Sequence, residues 1–74
     1  MTKVYSSKLC GVCNNLKAFL ASLHIDFEDV DIYDNKEARD DILNRGFRKV
    51  PVVRIGEKYI SGHNTDDVKR ELGL

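Results

Sequence analysis

Two cysteines separated by two residues, Cys10 and Cys13, are the only cysteines in this chain of 74 residues. They follow a short apolar strand pattern at residues 3–5 and open a helical pattern. The first N–H groups of a helix lack intrahelical partners and its macrodipole favours negative charge, so a thiolate at Cys10 is stabilised over the thiol. Cys13 lies about one turn further on, close enough to attack a mixed disulfide at Cys10. The spacing therefore predicts a two-electron thiol–disulfide relay.

Other uses of the two sulfurs stay open at this point. A static disulfide is typical of secreted, cysteine-rich chains, which this one is not. A zinc site would need His24 and His63 as further ligands, and their spacing matches no compact zinc finger. A metal or iron–sulfur binding module and a pair of inert buried thiols remain the alternatives to redox chemistry.

Composition and charge describe an ordinary globular chain. Residues 1–74 fit one small domain, which we expect to be a monomer. Twelve basic residues balance twelve acidic residues, so neither nucleic acid nor a membrane is expected as a partner. No apolar run approaches the roughly 18 residues of a transmembrane helix, and no signal-peptide pattern precedes the first strand. Two free thiols without an export signal predict a cytoplasmic location.

The elements around the cysteines follow from hydrophobic periodicity. A strand is expected at residues 2–6, and the next three residues form the loop that carries Cys10. Lys8 in this loop is either a source of positive potential near the thiolate or an ordinary solvated lysine. The helix that follows runs to about Leu23, and its apolar face has helical spacing. The residues of that face are Val12, Leu16, Phe19, Leu20 and Leu23.

The middle of the chain alternates between apolar and acidic residues. Residues 27–32 read as a strand with one side against the core. Asp34-Asn35 predicts the start of a second helix, which Gly46 ends. The acidic side chains in this stretch are interpreted as a solvated face. They are Asp29, Asp31, Asp34, Glu37, Asp40 and Asp41.

The last third of the chain predicts a hairpin and a short helix. Residues 50–55 form a strand with Pro51 near its start, the position that a residue without a donor N–H tolerates. On local grounds the Val50–Pro51 bond is expected to be trans. Gly56-Glu57 turns the chain into a strand at residues 58–60. Residues 61–64 are a loop, and Asn64 or Thr65 caps a final helix. The order β-α-β-α-β-β-α predicts an α/β fold with a small mixed sheet and helices on both faces.

Three stretches carry a resemblance to the glutaredoxin family, within the thioredoxin fold. Cys10-Gly11-Val12-Cys13 matches the family's active-site motif. The segment at residues 46–53, Gly-Phe-Arg-Lys-Val-Pro-Val-Val, is similar to that of the NrdH-type redoxins, and Ser61-Gly62 matches the same subgroup. The chain departs from that subgroup at Ile60 and His63, where Trp and Phe are usual. The resemblance implies a four-stranded thioredoxin-like fold and a dithiol–disulfide oxidoreductase.

The resemblance also implies partners and a binding surface. Pro51 would be cis, and the backbone of Val50 would pair with an incoming peptide or glutathione beside Cys10. By the same resemblance, substrate-binding residues are placed on both sides of the cysteines. They are Lys8, Val50, Pro51, Ser61, Gly62, His63 and Asp66. Electrons would come from NADPH through thioredoxin reductase, with no tightly bound cofactor, and pass to ribonucleotide reductase or another disulfide-containing protein. A glutathione-dependent glutaredoxin is the alternative.

Overall fold

Four strands and three helices make up the computed structural model, which describes residues 2–74. The elements follow the predicted order β-α-β-α-β-β-α. Their bounds are β1 (Thr2–Ser6), α1 (Gly11–Ser22), β2 (Glu28–Asp31), α2 (Lys36–Asn44), β3 (Val52–Ile55), β4 (Lys58–Ser61) and α3 (Thr65–Leu72). Three strands differ from the prediction by one or two residues at their ends. The order itself is confirmed.

The four strands form one mixed sheet in the order β2-β1-β3-β4. β1 pairs with β2 in parallel and with β3 in antiparallel fashion, and β3 pairs with β4 across a two-residue turn. Gly56 occupies the first position of that turn with a φ of 61°, a conformation that glycine adopts without a steric penalty. This topology is the mixed four-stranded sheet of the thioredoxin-like fold.

Each face of the sheet carries its own apolar cluster, because neighbouring side chains on a strand point to opposite faces. Val4 and Val53 pack with Leu16 and Leu20 of α1 and with Val68 of α3. On the opposite face, three residues of the sheet pack with α2. They are Tyr5, Val30 and Val52, and they contact Ile42. Helices therefore cover both faces, as predicted.

The ends of α1 and α2 are closed by the same backbone arrangement. At the end of α1, His24 adopts a φ of 58°, and Ile25 donates its N–H to the Leu20 carbonyl at 3.1 Å. At the end of α2, Gly46 has a φ of 92°, and Phe47 donates to Ile42 at 2.9 Å. These bonds satisfy carbonyl groups that the helix leaves free. The second of them also places Phe47 beside Ile42, at the start of the segment that leads to Pro51.

The face of α1 that packs on the sheet differs from the predicted one. Val12 was placed on the buried face, but it is 49% exposed, and Cys13 is fully buried instead. Cys13, Leu16 and Leu20 follow a helical spacing of three and four residues, so they share the inward side. The exchange leaves Val12 on the surface between the two cysteines.

Two of the acidic residues on the predicted solvated face also make hydrogen bonds to other elements. Asp29 accepts hydrogen bonds from Ser6 and Lys17, and Asp41 accepts one from Tyr59. These two side chains stay partly exposed, as the predicted solvated face requires, but each also anchors a contact between two elements. Within residues 2–74, no helix is long and apolar enough to cross a membrane.

Candidate active site

The two cysteines lie at the start of α1 in different environments. Cys10 is the residue that caps the helix, with φ −105° and ψ 104°, and it is partly exposed. Cys13 is fully buried. A disulfide joins the two sulfurs, and the Cα atoms are 5.2 Å apart. The Cys10 residue is thus accessible from solvent, whereas the buried Cys13 is accessible only to its neighbour Cys10.

The backbone of the first turn is directed at the sulfur of Cys10. The N–H of Cys13 donates to the Cys10 Sγ at 3.1 Å. No acidic residue lies in the first turn of α1, so no carboxylate there opposes a negative charge on the sulfur. A helix N-terminus of this kind stabilises an anion through its free N–H groups and its dipole. This geometry is suited to a thiolate, the form of cysteine that acts as the nucleophile in disulfide exchange.

Lys8 lies in the loop before Cys10, as predicted, and it has an acidic partner. Its Nζ is 3.7 Å from Asp34 Oδ2, and both side chains are largely exposed. An exposed pair of this kind contributes about 0–1 kcal/mol and is screened by salt. The contact directs the ammonium group toward the loop after β2.

A groove of about 450 Å³ runs beside the cysteines. It brings together Val12 of α1 with several residues predicted to bind substrate. These residues are Val50, Pro51, Ser61 and Gly62. The Val50–Pro51 peptide bond is cis, as the family resemblance implies and contrary to the local expectation. Gly62 donates its N–H to the Pro51 carbonyl at 2.8 Å and so joins the two walls of the groove.

Two further predicted residues lie outside the lining of this groove. The ring of His63 is 6.1 Å from that of Phe19, on the part of α1 beyond the cysteines. Asp66 is an exposed residue in the first turn of α3. Arg48 and Lys49, in contrast, do line the groove.

A polar cluster ties α1 to the sheet one turn below Cys13. Ser6 donates to Asp29 Oδ1 at 2.7 Å, and Lys17 donates to Asp29 Oδ2 at 2.8 Å. Partial burial raises the pKa of Asp29, but the hydrogen bonds from Lys17 and Ser6 outweigh this effect, so the pKa lies below its ordinary value. The sequence gives only a weak signal for this cluster. Lys17 is four residues after Cys13 and so lies on the same side of the helix, but this spacing does not identify Asp29 or Ser6 as its partners.

A second polar cluster ties the β3–β4 hairpin to α2. The Tyr59 hydroxyl donates to Asp41 Oδ2 at 2.7 Å, and the Arg45 guanidinium lies 4.2 Å from the centre of the Tyr59 ring. Burial, followed by the bond to Asp41, raises the pKa of Tyr59 to about 12. The hydrogen bond from Tyr59 in turn lowers the pKa of Asp41. No spacing in the sequence connects these residues, since Asp41 and Tyr59 are 18 positions apart.

Among residues 2–74, no three His, Cys, Asp or Glu side chains are grouped so that they could hold a metal ion. The two sulfurs and the groove beside them are the features that the structure brings together at this end of α1. An exposed nucleophile, a buried second thiol and an adjacent groove for a polypeptide are the parts that thiol–disulfide exchange requires.

Comparisons with known proteins agree with this chemistry. The family model described as Glutaredoxin matches residues 2–60. An uncharacterized glutaredoxin-like 8.6 kDa protein of the rubredoxin operon of Clostridium pasteurianum is 32% identical over 71 residues, covering 95% of each chain. The glutaredoxin-like protein NrdH of Salmonella typhimurium is 31% identical over 67 residues, covering 90% of this chain and 83% of its own.

A solved structure shows the same fold. NrdH-redoxin from Escherichia coli superimposes with a TM-score of 0.88 at 29% sequence identity, covering 93% of this chain and 91% of that one. That protein is described as glutaredoxin-like with a thioredoxin-like activity profile.

Proposed function

Because this chain belongs to the glutaredoxin family, whose members are thiol–disulfide oxidoreductases, we propose that it is a dithiol electron carrier. It reduces a disulfide in a client protein, with ribonucleotide reductase as the leading candidate. Thioredoxin reductase then returns the carrier to the dithiol form at the expense of NADPH. The carrier itself needs no tightly bound cofactor, and we propose that it works in the reducing cytoplasm, where this source of electrons is found.

The observation that carries the proposal is the unequal exposure of the two sulfurs. Cys10 is partly exposed with the Cys13 N–H 3.1 Å from its sulfur, whereas Cys13 is fully buried. Only Cys10 is therefore placed to attack an external disulfide. Its position at the helix N-terminus favours the attacking thiolate.

The reaction proceeds in two exchange steps. The Cys10 thiolate attacks one client sulfur, the client S–S bond breaks, and the departing client thiolate takes up a proton. The Cys13 thiol then loses its proton and attacks the Cys10 sulfur of the mixed disulfide, which releases the second client thiol. Two electrons and two protons pass to the client, and the carrier is left with the Cys10–Cys13 disulfide.

The choice of reductant is supported by the subgroup. The NrdH relatives and the segment at residues 46–53 favour thioredoxin reductase. Ser61 also stands where glutaredoxins that bind glutathione usually have the first of two glycines. Glutathione is the second candidate, because Arg48 and Lys49 line the groove and are suited to its carboxylates. Asp66 at the start of α3 is suited to its amino group.

A coupled assay of NADPH oxidation separates the two reductants. The protein should turn over with thioredoxin reductase and a disulfide substrate, and only slowly with glutathione and glutathione reductase. Efficient turnover with glutathione alone would reverse the assignment.

Variants of the two cysteines test the exchange steps. Cys10→Ser should abolish reduction. Cys13→Ser should trap a mixed disulfide with the client, visible on a non-reducing gel and cleared by dithiothreitol. Full activity of Cys13→Ser on protein disulfides would contradict the two-cysteine mechanism.

A further inference from the structure

A second groove lies on the α2 side of the segment at residues 46–51, and its lining is entirely cationic or neutral. Its volume is about 480 Å³. Three cations line it, Arg39 of α2 together with Arg48 and Lys49. No acidic residue contributes to this lining. We refer to it as the cationic groove.

The three cations have no ionic partner among the described residues. None of the ion pairs within residues 2–74 includes Arg39, Arg48 or Lys49. The acids that flank Arg39 in sequence, Glu37 and Asp40, are exposed and lie outside the lining of the groove, and Asp41 pairs with Arg45. Positive charge is therefore concentrated in this groove although the chain as a whole is neutral. Such a concentration attracts an acidic partner.

Exposed apolar side chains accompany the cations. Tyr33 is 75% exposed and Leu43 is 47% exposed, and both line the cationic groove beside Ile32 and Val50. Exposed apolar area rimmed by charge is typical of a binding site rather than of ordinary surface. The groove is suited to a segment that combines an acidic side chain with a bulky apolar one.

The cationic groove is continuous with the site of exchange. Lys49 and Val50 line both it and the groove beside the cysteines. Ser7 lines it too, and the Ser7 carbonyl accepts the Cys10 N–H at 3.4 Å. An extended chain advances about 3.3 Å per residue. A client residue that lies two to four positions from the cysteine attached to Cys10 would therefore reach the cationic groove.

On this basis we propose that the cationic groove selects client disulfides flanked, two to four residues away, by an acidic and a bulky apolar side chain. This proposal rests on the proposed function, because it describes the client of the same two cysteines. A groove between β4 and α3 offers no comparable selection, since Lys58 and Arg70 are accompanied there by Asp67 and Glu71. Charge complementarity is the reason for assigning the client segment to the α2 side.

The test uses single-turnover reduction, which needs no reductase. The fully reduced protein is mixed with synthetic peptides that each contain one intramolecular disulfide and carry Asp-Leu, Asn-Leu or Lys-Leu at the second and third positions after the second cysteine. An exposed pair of charges changes affinity by about 1.4- to 5-fold. We expect the Asp-Leu peptide to be reduced about 5- to 20-fold faster than the Lys-Leu peptide at low salt. The ratio should fall below about twofold in 1 M salt, where the Debye length is about 3 Å.

Charge-reversal variants locate the effect. Arg39→Glu combined with Lys49→Glu should abolish or invert the preference. Lys58→Glu combined with Lys69→Glu changes the net charge equally on the other side of the molecule, and it should leave the preference within about twofold of the original protein. An equal loss in both double variants would show a general effect of net charge and would overturn the assignment to this groove.

The outcomes separate this proposal from the one on which it rests. Equal rates for all three peptides would overturn the proposed selectivity and leave the thiol relay intact. Reduction of none of the peptides, or of any other disulfide, would overturn the relay itself.

Discussion

Replacing Asp29 with alanine should destabilise the protein through the polar cluster that holds α1 on the sheet. Asp29 accepts hydrogen bonds from Ser6 at 2.7 Å and from Lys17 at 2.8 Å. Ser6 is only 2% exposed, so its hydroxyl would lose a partner that water replaces poorly. A buried donor left without an acceptor lowers the free energy of unfolding by about 1–3 kcal/mol.

The two contacts contribute unequally. Half of the Asp29 side chain is exposed and Lys17 is 23% exposed, so we count their ion pair at no more than about 0.5 kcal/mol. Adding about 1.5 kcal/mol for the Ser6 hydroxyl, we expect Asp29→Ala to lower the free energy of unfolding by about 2 kcal/mol. Ser6→Ala should cost about 1 kcal/mol, because Asp29 keeps Lys17 and water. The coupling between the two substitutions should be about 1 kcal/mol.

Urea unfolding of the oxidised protein, followed by circular dichroism at pH 7, measures these quantities. With a slope of about 1 kcal/mol per molar urea, Asp29→Ala should move the midpoint down by about 2 M. The double variant completes the cycle. A loss below about 0.5 kcal/mol for Asp29→Ala, or additive effects of the two substitutions, would refute the reasoning that the buried hydroxyl depends on this carboxylate.

The same cluster predicts a dependence on pH. Despite partial burial, the hydrogen bonds from Lys17 and Ser6 hold the pKa of Asp29 in the folded protein below its ordinary value, so the folded state favours the charged carboxylate. The stabilisation is therefore complete above the ordinary carboxyl pKa of about 3.9 and is lost as the pH falls through the folded value. The difference in stability between the natural protein and Asp29→Asn should shrink steadily below about pH 4. A constant difference from pH 6 to pH 2 would contradict this assignment.

Two further predictions concern α2 and the hairpin. Asn35→Ala removes the side-chain acceptor of the Ala38 N–H, 3.0 Å away, and should lower the free energy of unfolding in urea by about 1 kcal/mol. Asn35→Asp keeps an acceptor and should lower it little. Equal losses of stability in the two variants would show that the helix cap is not the cause. Tyr59→Phe should cost about 1 kcal/mol and raise the pKa of Asp41, measured by NMR, because the Tyr59 hydroxyl is the main cause of its lowering. In an alkaline titration, the phenolate absorbance of Tyr59 should appear near pH 12. This absorbance step is identified as the one that is missing from Tyr59→Phe. If the missing step lies at a much lower pH, the contact with Asp41 is contradicted.

The element order could be predicted because each element has a local signal. Asn35 caps α2 and Gly46 follows its end, as their residue types indicate. The spacing of the cysteine pair at the start of a helix predicted redox chemistry in the same way, and it left metal binding open as an alternative. What helical periodicity could not decide was whether Val12 or Cys13 faces inward. Either residue continues into Leu16 and Leu20 with helical spacing, and only packing against the sheet selects Cys13.

Contacts between distant parts of the chain explain the remaining differences. Asp29 meets Lys17 and Ser6 only after β1, β2 and α1 have assembled, so its pattern in the sequence resembles that of any exposed acid on a strand. The cationic groove likewise depends on α2 lying against residues 47–50. The roles in substrate binding of all seven predicted residues stay predictions: Lys8, Val50, Pro51, Ser61, Gly62, His63 and Asp66.

The position of β2 at the margin of the sheet bears on self-association. One side of this strand has no neighbouring strand among the described residues, and three of its four residues are acidic, Glu28, Asp29 and Asp31. An unpaired strand is a template for adding another chain, and identical strands from two molecules pair readily when their side chains are apolar. Two copies of β2 would instead place carboxylates opposite one another. Repulsion between these carboxylates therefore protects this edge of the sheet from pairing with the same strand of a second molecule.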